Sequence, residues 1–216
     1  MTVLRRGGWH RIREGVDGKG GGIELVKDRH GKADSAYKFN GGWIASKGCG
    51  KPLREKTLSA WVKLHNVNQS GAGVVTIRMP GNDAPHDTID YNHMVSRERG
   101  KGWGIGSGSW RGGVTRWSSW SDVKETQSKW IHMVATYKTK DFRLYRNGLL
   151  IHSEVNRDVY EFPGNAEFMV GRSYNPSNPD SKFYINTDID DVRIYNRALS
   201  AKEVKSLYDL EKSKGK

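Results

Sequence analysis

The sequence predicts an all-β fold, an antiparallel two-sheet β-sandwich (a jelly roll) with one short C-terminal helix. Three observations carry this expectation. Short runs in which apolar and polar residues alternate recur along the chain, as strands with one buried face require. Glycine (26 of 216 residues) and tryptophan (8) are abundant while only 35% of residues are hydrophobic. That mixture suits short strands joined by glycine turns, with aromatic side chains supplying much of the buried area. Finally, strands do not alternate with helices, which argues against a parallel sheet.

Taken in order, residues 1–24 are expected to form an N-terminal strand or extension of the sandwich, residues 25–210 the main domain, and residues 211–216 a frayed basic tail. In "LSAWVKLH", Leu58, Ala60, Val62 and Leu64 share one face while Ser59, Trp61, Lys63 and His65 share the other. "GVVTIRM" and "KWIHMVATY" read the same way, and the latter puts His132 on one face with Trp130 and Val134. "FRLYRNGLLIHS" is a hairpin, because Asn147-Gly148 supplies the two positive φ values of a type I′ turn. "EFMVGRS" and "TDIDDVRIY" are further strands, with Val192 and Ile194 directed at the core. Ser200 and Glu203 form a capping box, Leu199 and Val204 a hydrophobic staple, and "AKEVKSLYDLEK" an amphipathic helix.

Composition narrows function only a little. The single Cys49 excludes an intramolecular disulfide, and "MTVLRRGGWHRIREG" lacks the apolar segment of a secretory signal. No apolar run approaches membrane-spanning length, so membrane insertion is not expected. A net charge of +12 favours polyanions such as acidic polysaccharide, nucleic acid or anionic lipid, and charge alone does not choose among them; a glycan is the expected partner, with nucleic acid less favoured.

The order "DRHGKADSAYKFNGG", "KTLSAWVKL", "SKWIHMVATYKTKDFRLYRNGLLI", "FMVGRS", "INTDIDDVRIYNRALSAKEVKSLY" resembles a LamG-like jelly roll of the concanavalin A-like lectin/glucanase superfamily. The resemblance implies two antiparallel sheets packed face to face, one often presenting a binding surface. It implies an extracellular, cell-surface or virion setting, and no single activity, since lectins, glycosidases, lyases and adhesive domains share the fold. It also implies a structural calcium held by Asp191 or Asp190 together with Asn40 and the carbonyl of Gly41, an oxygen set that suits this ion. The alternative is that Asp190 pairs with a lysine or arginine, or caps the turn before "VRIY".

Catalysis is disfavoured. Glycosidases of this fold are similar in a Glu-x-Asp-x-x-Glu strand, whereas Asp188 to Arg193 offers no glutamate and ends on a cation. His132, Tyr137, Arg143 and Tyr145 are residues of the kind a lyase uses, without its strand pattern. In "HDTIDYNH", strand periodicity puts His86 and Asp90 on one face and His93 on the other, which does not build a zinc site.

The segment "RERGKGWGIGSGSWRGGVTRWSSW" is the best ligand candidate. Trp103, Trp110, Arg111, Arg116, Trp117 and Trp120 combine rings that stack on sugar C–H faces with guanidinium forks for carboxylate or sulfate. Alternatively, two or more of these tryptophans are core, and "GWGIGSGS" is a strand packed closely beneath another segment. The expected function is a non-catalytic carbohydrate-binding module, with anionic polysaccharide as a candidate ligand. A structural or adhesive surface-decoration protein of a cell envelope or virus particle, with protein partners, is the first alternative. A polysaccharide hydrolase or lyase is the second.

Overall fold

The computed structural model describes residues 2–4, 12–16, 22–46, 50–69, 72–79, 86–92, 102–108, 117–120, 125–156, 158–172 and 184–212. In chain order the described strands are β1 (Thr2–Leu4), β2 (Ile12–Val16), β3 (Gly22–Val26), β4 (Ala36–Asn40), β5 (Gly42–Ser46), β6 (Lys56–Leu64), β7 (Ala72–Arg78) and β8 (His86–Asn92). They continue with β9 (Gly102–Gly108), β10 (Trp117–Trp120), β11 (Trp130–Lys138), β12 (Asp141–Arg146), β13 (Leu149–Val155), β14 (Glu167–Val170) and β15 (Asn186–Tyr195), and end on helix α1 (Ala201–Glu211).

Two antiparallel sheets result. An eight-stranded sheet runs β13-β12-β11-β6-β15-β4-β3, with β1 added against β15, and a seven-stranded sheet runs β10-β9-β8-β7-β14-β5-β2. The inward faces meet in one core. It takes Leu58, Ala60, Val62 and Leu64 from β6, Met133 and Ala135 from β11, and Val192 and Ile194 from β15, as their alternation predicts. Facing them are Val75 and Ile77 of β7, Ile89 of β8, Trp103 and Ile105 of β9, and Phe168 of β14.

Polar ties cross this core. The Lys56 ammonium lies 2.7 Å from Asp87 Oδ2, and both side chains are fully buried. Lys56 also donates to the carbonyls of Arg54 and Tyr160 and sits 4.6 Å from the Phe162 ring centroid. The Ser107 hydroxyl donates to Asp87, and the Tyr137 hydroxyl donates to the carbonyls of Thr88 and Gly106 on the opposite sheet. Burial pushes the Asp87 carboxyl up while Lys56 and Ser107 pull it back.

The hairpin turn has the expected left-handed residues, Asn147 at φ 51° and Gly148 at φ 77°. One departure from alternation has a backbone cause. Asp190 pairs with Trp61 but Arg193 with Ser59, so β15 carries one extra residue, a bulge. Asp191 takes it up at φ 48°, a conformation that Asp tolerates better than most residues.

Helix α1 starts on the Ser200–Glu203 capping box, and Leu199 and Val204 pack with Val134 and Tyr145 on the outward face of the eight-stranded sheet. Tyr208 stacks on Trp61 at 5.8 Å, and Trp61 on His132 at 5.0 Å. The Trp61 indole N–H donates to Glu211, and the Arg29 guanidinium covers the ring at 4.9 Å. None of the described helices is long and apolar enough to cross a membrane.

Candidate functional site

The aspartates of β15 are consumed by ion pairs. Arg29 forks onto Asp190 and Asp191, its contact with the latter at 2.8 Å, and Arg193 pairs with Glu211. Asp188 is held by Lys63 and His65, each at 2.6 Å. The expected calcium quartet does not assemble. Asn40 pairs with Asn186, four residues before Asp190, or roughly 13 Å along the strand at the usual rise. Gly41, at φ 82°, turns the chain beside Asn40 and shares that displacement. Asp190 and Asp191 therefore meet a guanidinium where the resemblance implied an ion, and the alternative of an arginine partner holds. Among the described residues, no group of three His, Cys, Asp or Glu side chains is placed to hold a metal.

The tryptophan-rich segment is split. Trp103, expected at the ligand surface, is fully buried instead. The period of β9 turns its indole inward with Ile105, edge-on to Tyr91 at 5.0 Å, and the ring N–H donates to Glu125 at 2.7 Å. It is a core residue. Trp117 and Trp120 belong to β10, opposite Ser107 and Gly104. Trp110, Arg111 and Arg116 lie outside the described residues, as does His93. The residues considered for a lyase are divided too. Tyr137 points into the core, whereas His132 lies under α1 with its Nε2 2.8 Å from the Ser59 hydroxyl.

What the structure does bring together is the outward face of the seven-stranded sheet. Residues opposite one another in register share a face, so two cross-strand rows form there. Glu167, Arg78, His86 and Gly108 make one row, and Met169, Thr76, Thr88 and Gly106 the next. Asp90 opposite Gly104 follows. Every outward position of β9 is a glycine (102, 104, 106 and 108), and Gly102, Gly104 and Gly106 are buried together with Thr76, Thr88 and Met169, so the partly exposed polar groups of this face are Arg78, His86 and Asp90.

The polar groups are locked together. Arg78 donates through Nε and an Nη to Glu167 Oε2, both at 3.1 Å. The hydroxyls of Thr76 and Thr88 are 2.9 Å apart, and Thr88 donates to Asp90 at 2.8 Å. Thr76 also donates to the Arg172 carbonyl, and the Arg172 guanidinium sits 5.2 Å from the Tyr184 ring. Desolvation pushes the Asp90 carboxyl up to about 6, partly offset by the Thr88 hydrogen bond. Sequence reasoning passed over Thr76, Arg78 and Glu167. Their signal was the polar half of "VVTIRM" and "EFMV", whose apolar half had served to assign the strands.

The raised Asp90 pKa has a sign. The fold favours the protonated form, so stability is highest below the ordinary carboxylate range and falls as pH rises through about 6. Asp90→Asn should therefore raise the melting temperature at pH 7, by a stabilisation of at most about 3 kcal/mol, and change little at pH 4. Melting curves at both values check this.

The described carboxylates on this face do not form a glycosidase pair. From Glu167 to Asp90 is two strands across and four residues along, roughly 16 Å between backbones, against roughly 5–9.5 Å for carboxyl groups flanking a glycosidic bond.

The sequence profile of Laminin_G_3, described as concanavalin A-like lectin/glucanases superfamily, matches residues 41–205. No curated protein matches the sequence. Among solved structures, domain 4 of AbnA, a GH43 extracellular arabinanase from Geobacillus stearothermophilus, in complex with arabinotriose, superposes with TM-score 0.67 at 20% identity, over 92% of this chain and 87% of that one. The ligand binding domain of botulinum neurotoxin serotype D, in complex with N-acetylneuraminic acid, gives TM-score 0.62 at 14% identity, covering 98% of this chain and 50% of that one. Trypanosoma rangeli sialidase with 2,3-difluorosialic acid gives 0.53 at 18%, covering 81% of this chain and 27% of the enzyme. At these identities the likeness is one of fold, a fold that serves binding domains and glycosidases alike.

Proposed function

Because the chain belongs to the Laminin_G_3 family of the concanavalin A-like superfamily, we propose that it is a non-catalytic carbohydrate-binding module whose site is the outward face of the seven-stranded sheet. One observation carries the reading: Arg78, His86 and Asp90, the partly exposed polar groups of this face, stand in neighbouring rows of the sheet with Glu167 paired to Arg78 behind them. A carboxylate or guanidinium can bridge neighbouring sugar hydroxyls. The net charge of +12 supports acidic polysaccharide as the preferred class. Two neighbouring binding domains solved with sugars, the arabinanase domain and the toxin domain, support a glycan over another polymer.

Affinity gels loaded with uronic, sulfated or neutral polysaccharide, run at physiological salt with and without calcium, test the reading. Selective retardation is expected, and Arg78→Ala should weaken it about tenfold or more, as loss of a charged hydrogen-bonding group does. Equal retardation by every polyanion, abolished by moderate salt, would reduce the effect to net charge.

A second reading, an adhesive or structural role, is favoured by β13. This edge strand exposes Leu149 (64%), Leu150 (51%) and Val155 (61%), apolar groups that edge strands ordinarily avoid. Migration as a monomer at high concentration, with no retention by any glycan, would count against both readings.

A further inference from the structure

We propose a second ligand site, on the opposite sheet, in the cleft between β12 and the start of α1, and assign to it a single anionic sugar ring of the uronic acid type. The cleft measures about 230 Å³. Sites that bury a drug-sized molecule run to roughly 300–1,000 Å³, so this one suits one ring and not a chain. Thr136 and Lys138 of β11, Asp141, Arg143 and Tyr145 of β12, and Ser200 line it.

Arg143 is the organising group. It donates to both carboxylate oxygens of Asp141, at 3.1 and 2.7 Å. Tyr145 is anchored, 2% exposed and packed with Val134, Leu199 and Val204. The Arg143 guanidinium is held by Asp141 beside this packed ring, while 43% of its side chain remains open to solvent. Asp141 takes the Nε and one Nη, so a ligand carboxylate would meet the remaining Nη, already oriented and so at lower entropic cost than on a mobile side chain.

The charge balance fixes the sign of the ligand. Asp141 is neutralised by Arg143, and Glu203 by Arg197 at 2.7 Å. Lys138 is exposed and has no ion-pair partner among the described residues, so the mouth carries one uncompensated positive charge. The Ser200–Glu203 capping box occupies the amides of Ser200 and Glu203, and the proposed ligand contacts are made by side chains. A ring carboxylate would bridge Lys138 and Arg143, leaving Thr136, Asp141 and Ser200 to meet ring hydroxyls. The site shares no residue with the seven-stranded sheet, so either can fail without the other. Together, two sites on opposite faces would let one module engage two chains or two turns of one chain.

The test is an amide chemical-shift titration of the full chain with sodium glucuronate, with glucose and sodium sulfate as parallel arms. Glucuronate should shift the amides of Thr136, Lys138 and Ser200, and glucose should not. Arg143→Met should weaken the glucuronate response about tenfold, and Arg143→Lys, which keeps the charge but loses the fork, several-fold. Unchanged spectra elsewhere would show that both variants fold. A glucuronate response that survives Arg143→Met, or no response at tens of millimolar, overturns the assignment. Sulfate matching glucuronate in affinity at the same amides overturns the sugar and leaves a plain anion contact.

Discussion

Lys56→Met should destabilise the protein by about 3–5 kcal/mol, because it leaves the Asp87 carboxylate buried without its counter-charge. For a chain of this size that corresponds to a melting temperature lower by roughly 6–20 °C. Asp87 would be driven to its protonated form, in the direction burial already pushes it. Asp87→Leu should cost a comparable amount by stranding the ammonium, although the Arg54 and Tyr160 carbonyls would still accept from it. The double variant should recover most of the loss, since apolar side chains of similar volume replace a buried pair at little cost. A double-mutant cycle in urea measures this coupling. A double variant as unstable as the sum of the singles would mean the pair does not act as a unit.

Acid should expose a second large effect, at His132. The ring is buried beneath Trp61 and Tyr208, and desolvation, reinforced by Arg193 and Arg29, lowers its pKa to about 3. The folded state therefore keeps the ring neutral. Its contribution is complete above about pH 6.5 and is lost as pH falls toward 3, at about 1.4 kcal/mol per unit and about 5 kcal/mol in all. Asp90 works in the opposite direction between about pH 4 and 6, so the total curve conceals the histidine. The difference between the native chain and His132→Gln isolates it. The native advantage should shrink steadily below pH 6.5, and a difference independent of pH would show that the ring titrates normally.

Much of the fold was legible because its signals are local. The alternation in β6 and β11, the positive φ pair at Asn147-Gly148 and the Ser200–Glu203 box each follow from residues within a few positions of one another. The bulge in β15 also left a mark. Ile189 and Val192 both face the core although they are three residues apart, which a regular strand forbids. What sequence could not supply were partners distant along the chain. A lysine beginning a strand reads as solvated until Asp87 is brought to it from the other sheet, and Arg29 reads as a loop cation until it meets Asp190 and Asp191. The site was harder for a different reason. A tryptophan in a glycine-rich run has the same signature whether it faces a ligand or the core, and register alone decided for Trp103. The rows on the seven-stranded sheet are likewise a product of register, assembled from four strands that are scattered in sequence.

The ties that cross the core also bear on how the module would carry a load. Apolar layers can slide over each other while exchanging one contact for another. The bond between Lys56 and Asp87 and those from Tyr137 to the carbonyls of Thr88 and Gly106 have no such substitutes along the path. Shearing one sheet past the other must break them nearly together. A module anchored to a glycan on one side and pulled from the other would hold its shape until that point, and then yield in a single step.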